Sequence, residues 1–368
     1  MGRQARAVVY RTLGKPVSVE TVEIESPRRD EVMVKVGACG VCHSDLSATN
    51  GTIPLPPPLV LGHEVAGTVA EVGAGVTDLA VGDRVILSFV PMCGRCRYCA
   101  MGRPALCDMG ARAAVSLTDG TTRVKDRDGK PVGQFAATSG MAEYTTVHKD
   151  SVIKMEIDVP VDKAALIGCG VMTGVGAALN TARVEAGSSV VVIGCGGIGL
   201  NVIQGSALSG AEKIIGIDLE DKKLEFAQVF GATHTLNPQS EPDPLGKVRE
   251  LTGGGADYAF ECIGRASTIQ QCWEVVRKGG MAVVVGVAPP SEQVTLGAFS
   301  MPFVEKILTG SMYGSARPRV DFPRLLSLYK ANRLKLDELV TATYSIEDAP
   351  RAFADLEKGA NARGVIVF

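Results

Sequence analysis

Four cysteines that lie close together in the chain constrain its fold more strongly than any other feature. Cys93, Cys96, Cys99 and Cys107 follow the pattern C-x2-C-x2-C-x7-C. Thiolates two residues apart can reach one tetrahedral ion from a tight turn, and four sulfur ligands leave the ion no open position. The pattern therefore predicts a closed, structural zinc site.

Two alternatives for this cluster are an iron–sulfur centre and a pair of disulfides. In iron–sulfur proteins the cysteine run closes with a shorter last interval followed by proline, whereas here Asp108 follows Cys107. Disulfides are typical of secreted chains, but the N-terminal segment MGRQARAVVY lacks the long apolar core of a signal peptide. We therefore interpret the ten cysteines as reduced thiols. Those outside the predicted metal sites are expected to be small core residues: Cys39, Cys195, Cys262 and Cys272.

A glycine-rich turn further along the chain predicts a dinucleotide site. Gly194, Gly196 and Gly199 directly follow the apolar run 190–193 and precede a predicted helix over 198–208. In this setting the first glycine permits the tight turn, the second lets the backbone approach a pyrophosphate, and the third lets helix and strand pack. Free N–H groups at the helix start, around Gly197 and Ile198, would face the phosphates.

The residue that ends the next strand indicates which dinucleotide binds. Asp218 lies 19 residues after Gly199. A carboxylate at this position accepts hydrogen bonds from the ribose 2′-hydroxyl and repels a 2′-phosphate. NAD is therefore favoured over NADP, although Lys222 and Lys223 soften the preference. The alternative role for Asp218 is that of a solvated helix cap.

A second metal site can be assembled from residues that are distant in the sequence. Cys42, His63 and Cys169 would supply two thiolates and one imidazole, and would leave the fourth zinc position open to water or substrate. An open position makes such a site catalytic. Asp45 is suited to accept the spare N–H of His63, and Glu64 adjoins that ligand.

The pattern of the chain changes twice, which indicates an α/β protein of two domains. Up to about residue 170, short β segments are broken by glycine and proline, and residues 108–140 look like a solvated excursion. From about 172 to 312, apolar strands alternate with helical stretches, as in a parallel sheet covered by helices. The tail carries two helices and a closing strand, 364–368, that could return to the first domain.

Composition and charge exclude several other classes. With 368 residues, of which 46% are hydrophobic, the chain can bury the cores of two domains. Lys and Arg number 38 against 40 Asp and Glu, and no long block of one sign offers a footprint for a nucleic acid. No stretch reaches the roughly 18 apolar residues of a membrane span. We therefore expect a soluble, cytoplasmic protein with no nucleic-acid or membrane partner.

Five ordered motifs resemble those of the zinc-dependent medium-chain alcohol dehydrogenases. They are GVCHSD around Cys42, GHEVAGTV around His63, the four-cysteine cluster, GCGVMTG around Cys169 and VVVIGCGGIGL at the glycine turn. The resemblance runs from about Arg6 to Phe368. It implies a GroES-like, β-rich catalytic domain (1–171 and 313–368) and a Rossmann domain with a doubly wound parallel sheet for NAD (172–312).

The resemblance also implies individual roles. Cys42, His63 and Cys169 match the catalytic zinc ligands. Glu64 matches a glutamate that approaches the metal during ligand exchange, and Ser44 matches the hydroxyl that hydrogen-bonds the substrate oxygen. Phe89 matches an aromatic residue of the substrate pocket. The implied cofactor set consists of His43, Thr173, Gly194, Gly196, Gly197, Ile198, Gly199, Asp218, Lys223 and Arg363.

The expected reaction is hydride transfer between a primary alcohol or its aldehyde, aromatic and medium-chain alcohols included, and NAD. One catalytic and one structural zinc per chain would accompany it. Ser47 occupies the position at which the animal liver enzymes of the family carry a histidine that ends the proton relay. Two related branches are alternatives. One is a thiol-dependent formaldehyde dehydrogenase, which also lacks this histidine, and the other is an actinobacterial nicotinoprotein that holds NAD tightly. A zinc-stabilised nucleotide-binding protein with an idle site is the non-enzymatic alternative. The resemblance also suggests a homodimer, with a tetramer as the alternative.

Overall fold

The chain folds into two compact units. The structure is a computed structural model that describes residues 2–368, and Met1 lies outside the described residues. The first unit comprises the chain up to Gly170 together with Arg317–Phe368, and the second unit is Val171–Ala316. In the sequence, the second unit is therefore inserted between two parts of the first.

The first unit is built on two β-sheets. One is a closed barrel with the order β1 (Arg3–Tyr10), β2 (Ser18–Ile24), β7 (Val124–Lys125), β8 (Pro131–Gln134) and β4 (Leu59–Val60). The other has the order β10 (Val152–Lys154), β6 (Arg84–Leu87), β5 (Glu64–Val72), β3 (Glu31–Val41), β18 (Arg363–Val367) and β17 (Val340–Tyr344), and β9 (Tyr144–His148) also pairs with β3. Because β18 runs antiparallel beside β3, the tail returns to the first unit as the sequence predicts.

Strand β3 leads directly into the predicted catalytic region. Lys35 is its one exposed residue, because neighbouring strands and core side chains cover the rest. The strand ends at Val41, and the next residue is Cys42. The helices of this unit are α1 (His43–Asn50), α2 (Arg97–Ala100), α3 (Asp108–Ala111), α4 (Val161–Leu166), α11 (Pro318–Lys330) and α12 (Ala349–Glu357), and 3₁₀ turns lie at Pro104–Leu106, Phe135–Ala137 and Lys149–Ser151.

The prediction of a solvated excursion at residues 108–140 is wrong. Strands β7 and β8 from this segment close the barrel, and Val124 and Val132 are fully buried. Arg123 is fully buried too, and its guanidinium donates from Nε to Glu31 Oε2 at 2.9 Å and from Nη2 to Asp119 Oδ2 at 2.8 Å. A buried arginine is tolerated when it is paired, but Glu31 lies 92 residues away, so the sequence does not reveal the pairing.

The second unit contains a six-stranded parallel sheet, which confirms the predicted Rossmann domain. Its order is β13 (His234–Leu236), β12 (Lys213–Ile217), β11 (Ser189–Ile193), β14 (Ala256–Glu261), β15 (Val276–Val284) and β16 (Ile307–Gly310). Its helices are α5 (Met172–Gly176), α6 (Gly197–Leu208), α7 (Asp221–Val229), α8 (Pro244–Thr252), α9 (Ala266–Val275) and α10 (Met301–Val304). The strand order reverses between β11 and β14, which is the position where such sheets bind their ligands.

The expectation that no stretch is long and apolar enough to cross a membrane is wrong for one helical run, Val161–Ala182, by length and composition alone. It consists of α4, a π-helical segment at Ile167–Val171, α5 and a second π-helical segment at Ala177–Ala182. Its most apolar window is 78% buried inside the protein, as expected for a core helix. Cys169 lies in the first π-helical segment, and such segments occur frequently at functional sites.

Candidate active site and metal centres

Cys42, His63, Glu64 and Cys169 meet in the first unit, although the first and the last lie 127 positions apart in the sequence. All four are buried, and their possible ligand atoms lie within 4.8 Å of one another. Cys42 immediately precedes α1, Glu64 begins β5, and Cys169 projects from the π-helical segment. We call these four residues the donor set.

The chemistry of the donor set fits a zinc ion. A hydrogen bond from Cys169 and the nearby charge of His63 lower the pKa of Cys42 well below its ordinary value, against the effect of burial. The same hydrogen bond, together with burial, raises the pKa of Cys169. Two buried sulfurs and one imidazole within reach of one point are the donors that a zinc ion prefers.

Asp45 holds the imidazole of His63 in place. Asp45 Oδ1 lies 3.4 Å from His63 Nδ1, and the same carboxylate accepts the N–H of Gly62 at 2.8 Å and that of Cys42 at 3.3 Å. Burial acts to lower the pKa of His63, but the charges of Asp45 and Cys42 raise it well above its ordinary value. A carboxylate that accepts the distal N–H fixes the orientation of a ligating ring, so Asp45 occupies the place that the sequence suggests for it.

Glu64 is fully buried and forms an ion pair with Arg363, the first residue of β18. Its Oε1 also accepts the N–H of Gly170 at 3.2 Å. Burial raises the pKa of Glu64 to about 7, although the guanidinium opposes the shift. Burial acts to lower the pKa of Arg363, but the charges of Glu64 and Cys42 raise it above the ordinary value. The Arg363 side chain is 4% exposed and is directed at the donor set.

Two phenyl rings pack edge-on against the imidazole of His63. The ring centroids of Phe89 and Phe135 lie 5.5 Å and 5.3 Å from that of His63. The sequence suggested Phe89 but not Phe135, because Phe135 lies in the segment interpreted as solvated. Ser44 is half-buried, and its Oγ lies 3.8 Å from Cys42 Sγ.

The backbone that follows Phe135 adopts a left-handed conformation. The φ angles of Ala136, Ala137 and Ser139 are 52°, 55° and 48°. Thr138 Oγ1 donates to the Gly62 carbonyl at 2.9 Å, which ties this segment to the residue before His63. Strained residues of this kind persist where surrounding contacts hold them, and they cluster at functional sites.

The four-cysteine cluster forms a second group of possible ligands. The sulfurs of Cys93, Cys96, Cys99 and Cys107 lie within 4.8 Å of one another, and all are free thiols. Backbone N–H groups point at them, with Cys96 N at 3.3 Å from Cys93 Sγ. Hydrogen bonds from the backbone of Cys99 and Asp108 lower the pKa of Cys96 to about 6, whereas burial raises that of Cys99 to about 12. A divalent ion would allow all four to ionise together, as in a closed zinc site.

The glycine turn has the geometry that the fingerprint requires. Gly194 has a φ angle of 95°, and a Cβ on Gly199 would lie 1.8 Å from the Gly194 carbonyl oxygen. A Cβ on Gly196 would meet nothing within 4 Å, so this residue leaves open space in front of the turn. Helix α6 begins at Gly197, immediately after the turn.

Asp218 follows β12 and lies against the glycine turn. Its Oδ2 accepts the N–H of Cys195 at 2.8 Å, and its Oδ1 accepts that of Glu220 at 3.1 Å. Lys223 pairs with Glu220, with 2.6 Å between Nζ and Oε1. The remaining predicted cofactor residues are placed as follows: Ile198 in α6, Thr173 in α5, His43 at the start of α1.

Two family models match the chain. The model described as alcohol dehydrogenase GroES-like domain matches residues 28–157, and the model described as zinc-binding dehydrogenase matches residues 197–331. The first stretch contains Cys42, His63 and Glu64 of the donor set, and the second begins at the start of α6 and contains Gly199.

Three similar proteins cover nearly the whole chain. It is 41% identical to the NDMA-dependent alcohol dehydrogenase of Amycolatopsis methanolica over 99% of both chains. It is 37% identical to the S-(hydroxymethyl)glutathione dehydrogenase of Paracoccus denitrificans over 99% of this chain and 100% of that one. The crystal structure of benzyl alcohol dehydrogenase from Acinetobacter calcoaceticus superposes with a TM-score of 0.94 at 31% identity, covering 100% of this chain and 99% of that one.

Proposed function

Because the chain belongs to the zinc-dependent medium-chain alcohol dehydrogenases, we propose that it is an NAD-dependent enzyme that interconverts primary alcohols and aldehydes. The predicted combination of a GroES-like fold with a Rossmann fold is confirmed. The observation that carries the proposal is the buried meeting of Cys42, His63 and Cys169 beside Glu64. We assign the catalytic role to the first unit and dinucleotide binding to the second.

The donor set defines where the substrate oxygen would bind. A zinc ion held by Cys42, His63 and Cys169 would supply Lewis-acid polarisation of that oxygen at an open fourth position. Asp45 keeps the His63 ring in one orientation. The edges of Phe89 and Phe135 offer an apolar wall beside the ring, which suits an aromatic or aliphatic alcohol.

Ser44 is the residue that we assign to proton handling. Its Oγ is close to Cys42 Sγ, at 3.8 Å, so the hydroxyl is within reach of an oxygen bound beside the donor set. A hydroxyl in this position can accept the proton of the alcohol while it passes its own proton onward. Glu64, paired with Arg363, places a buried carboxylate next to the same ligands and is our candidate for ligand exchange.

NAD, when bound, supplies the hydride acceptor. Gly194, Gly196, Gly197, Ile198 and Gly199 would hold the pyrophosphate at the start of α6. Asp218 would bind the ribose hydroxyls, since each of its oxygens accepts one backbone N–H and retains capacity for another bond. We add His43, Thr173, Lys223 and Arg363 to the proposed cofactor set on the strength of the family motifs.

The central test is the substitution Cys42→Ser in the full-length, zinc-loaded protein. We expect metal analysis to give about two zinc ions per chain in the unmodified protein and about one in the variant, because one of two sites loses a thiolate. Alcohol oxidation should be abolished while NAD binding persists. The matched control is Cys272→Ala, which removes a fully buried thiol of α9 that belongs to neither cluster. Turnover that survives Cys42→Ser contradicts the proposed site.

Two narrower activities are suggested by the names of similar proteins. A thiol-adduct oxidase, as in Paracoccus denitrificans, would oxidise formaldehyde only when glutathione or mycothiol is present. A nicotinoprotein would retain NAD through dialysis and turn over with an artificial electron acceptor but without added NAD. NDMA is the acceptor to use, because the relative from Amycolatopsis methanolica is described as NDMA-dependent. A substrate panel with and without thiol, NAD and NDMA separates these from ordinary alcohol oxidation. No turnover under any condition would favour an idle site.

A homodimer is our proposed assembly, formed through the edge of the Rossmann sheet. Within residues 2–368, strand β16 pairs on one side only, with β15, and its Ile307 is 47% exposed. Phe299 and Phe303, shortly before it in the chain, are 87% and 67% exposed. Exposed apolar side chains beside an unpaired strand edge are typical of an interface. Light scattering distinguishes the dimer from a tetramer.

We propose the cytoplasm as the location of the protein. Its ten cysteines are free thiols, which suits a reducing compartment.

A further inference from the structure

The carboxylate of Glu261 is buried at the end of β14 and binds the loop that follows it. The residue is 0% exposed, and its Oε1 accepts three hydrogen bonds. They come from the N–H groups of Ile263 at 2.9 Å and Gly264 at 2.7 Å, and from the Thr268 hydroxyl at 2.7 Å. One oxygen atom therefore fixes the whole connection from β14 into α9.

The same residue also holds the loop after β15. Its carbonyl oxygen accepts the N–H of Val285 at 2.9 Å and that of Gly286 at 3.0 Å. A Cβ on Gly286 would lie 2.2 Å from Gly264 N and 2.7 Å from Glu261 Oε2, so the two loops touch with no room for a side chain. Glu261 thus joins two loops that belong to different strands of the sheet.

These loops lie at the point where the strand order of the sheet reverses. Glu261 is in register with Ile193 of β11, the residue before Gly194. A Cβ on Gly194 would be 2.7 Å from Ile263 Cγ1, so the loop after β14 packs directly on the glycine turn. In doubly wound sheets the dinucleotide binds across the carboxyl ends of the strands at the point where the strand order reverses.

Each of the two loops presents an aliphatic side chain to solvent. Ile263 is 48% exposed and Val287 is 60% exposed, although both are large and apolar. Exposed apolar side chains beside a ligand crevice are suited to pack on the planar rings of a nucleotide. Their positions depend on the loops that Glu261 holds.

We propose that Glu261 is a positioning residue of the dinucleotide site, which fixes the loops after β14 and β15 so that Ile263 and Val287 face the bound cofactor. The inference rests on the proposed NAD dependence. Glu261 acts through these loops. Its Oε2 has no hydrogen-bond partner among residues 2–368, so Oε1 alone carries the three bonds.

Because only Oε1 accepts hydrogen bonds, substitutions can remove three, one or none of these bonds. Glu261→Gln can retain all three acceptor bonds through its amide oxygen, whereas Glu261→Ala removes them. Thr268→Val deletes one of the three donors. Its matched control is Thr252→Val, at the end of α8 shortly before β14 begins. There Thr252 Oγ1 donates to Val248 O at 2.7 Å and accepts the Gly255 N–H at 3.1 Å.

Calorimetric titration of the zinc-loaded full chain with NAD is the first measurement. We expect Glu261→Ala to weaken NAD binding by about tenfold or more, Thr268→Val by about threefold, and Glu261→Gln by less than about threefold, because these variants lose three, one and none of the hydrogen bonds to Oε1. Thr252→Val should lower the melting temperature without changing the NAD affinity. KM for NAD should rise in Glu261→Ala more than kcat falls.

Amide hydrogen exchange without NAD is the second measurement, and it is independent of the proposed cofactor. In Glu261→Ala we expect faster exchange in residues 262–268 and 285–287 than in the rest of the sheet. If exchange there is unchanged, Glu261 does not hold the loops. If exchange accelerates but NAD affinity matches that of the unmodified protein, the loops do not position the cofactor. Failure of the unmodified protein to bind NAD would refute the proposed function itself, and this inference with it.

Discussion

Arg363 and Glu64 form an ion pair that is almost completely shielded from solvent, with side-chain exposures of 4% and 0%. The pair exists because β18 lies beside β3, and β3 lies beside β5, whose first residue is Glu64. Removal of one partner would leave the other charge buried and uncompensated, which is far more costly than loss of an exposed pair.

Substitution of Arg363 by Met should therefore destabilise the protein by about 3–5 kcal/mol. The double variant Glu64→Gln with Arg363→Met should recover part of this loss, because no unpaired charge remains. Urea unfolding of zinc-loaded protein measures both. The control is Arg84→Met, since Arg84 and its partner Asp158 are 33% and 90% exposed, and such a pair contributes about 0–1 kcal/mol. Equal losses in the two single variants would contradict the argument from burial.

Asp45→Asn should weaken zinc binding at the donor set by about 10- to 100-fold, because the His63 ring loses its charged acceptor. Competition with a chromophoric chelator measures the affinity of each of the two proposed zinc ions. The four-cysteine cluster provides an internal reference, since its affinity should stay constant. Asp83→Asn changes a half-buried carboxylate that pairs with Lys154 at 2.6 Å, and it is the matched control. An unchanged zinc affinity in Asp45→Asn would rule out this role for the carboxylate.

Cys96→Ala should release the zinc of the four-cysteine cluster while the donor set keeps its own. The expected stoichiometry falls from about two to about one, and the melting temperature should fall by more than in Cys272→Ala, because a closed zinc site contributes folding energy directly. Retention of both metals in Cys96→Ala would show that this cluster binds no zinc through that thiolate.

Asp119 should contribute stability that is lost in acid. Burial acts to raise its pKa, but hydrogen bonds from Arg123 and Thr121 lower it to about 2. The unfolded value is about 3.9, so the contribution is complete above that pH and disappears as the pH falls toward 2. Because the Asp119 side chain is 47% exposed, we expect less than about 1 kcal/mol.

The measurement for Asp119 is the free energy of unfolding between pH 6 and pH 3, compared between the unmodified protein and Asp119→Asn. The difference between the two should shrink as the pH falls. Asp128→Asn, which changes a carboxylate on an exposed turn, is the control for the loss of a surface charge. A difference that stays constant over this range would mean that the link to Arg123 does not stabilise the folded state.

The sequence predicted those parts of the site that depend on short spacing or on residue chemistry. The four cysteines and the glycine turn are local patterns. Two thiolates and one imidazole indicate zinc by their chemistry alone. Phe135 and Arg123 could not be predicted in the same way, because each acquires its role from a partner far away in the chain. The inward direction of Arg363 also depends on strand pairing that no local pattern records.

The role of Glu261 escaped prediction for a different physical reason. An acidic residue at the end of an apolar strand looks like a solvated strand terminus, and its burial follows from two glycines that allow the loops to meet over it. Only the three-dimensional contact between Gly264 and Gly286 reveals that the carboxylate is enclosed.

The place of β18 in the sheet has a consequence for biosynthesis. On the ribosome, the contiguous Rossmann unit leaves the exit tunnel before β18 has been translated, and it can fold while the N-terminal sheet still lacks a strand between β3 and β17. Arg363 is made after all four residues of the donor set, so the charge that balances Glu64 reaches them last. Nascent chains stalled before residue 363 should therefore protect the Rossmann unit from protease and leave the N-terminal sheet open to cleavage.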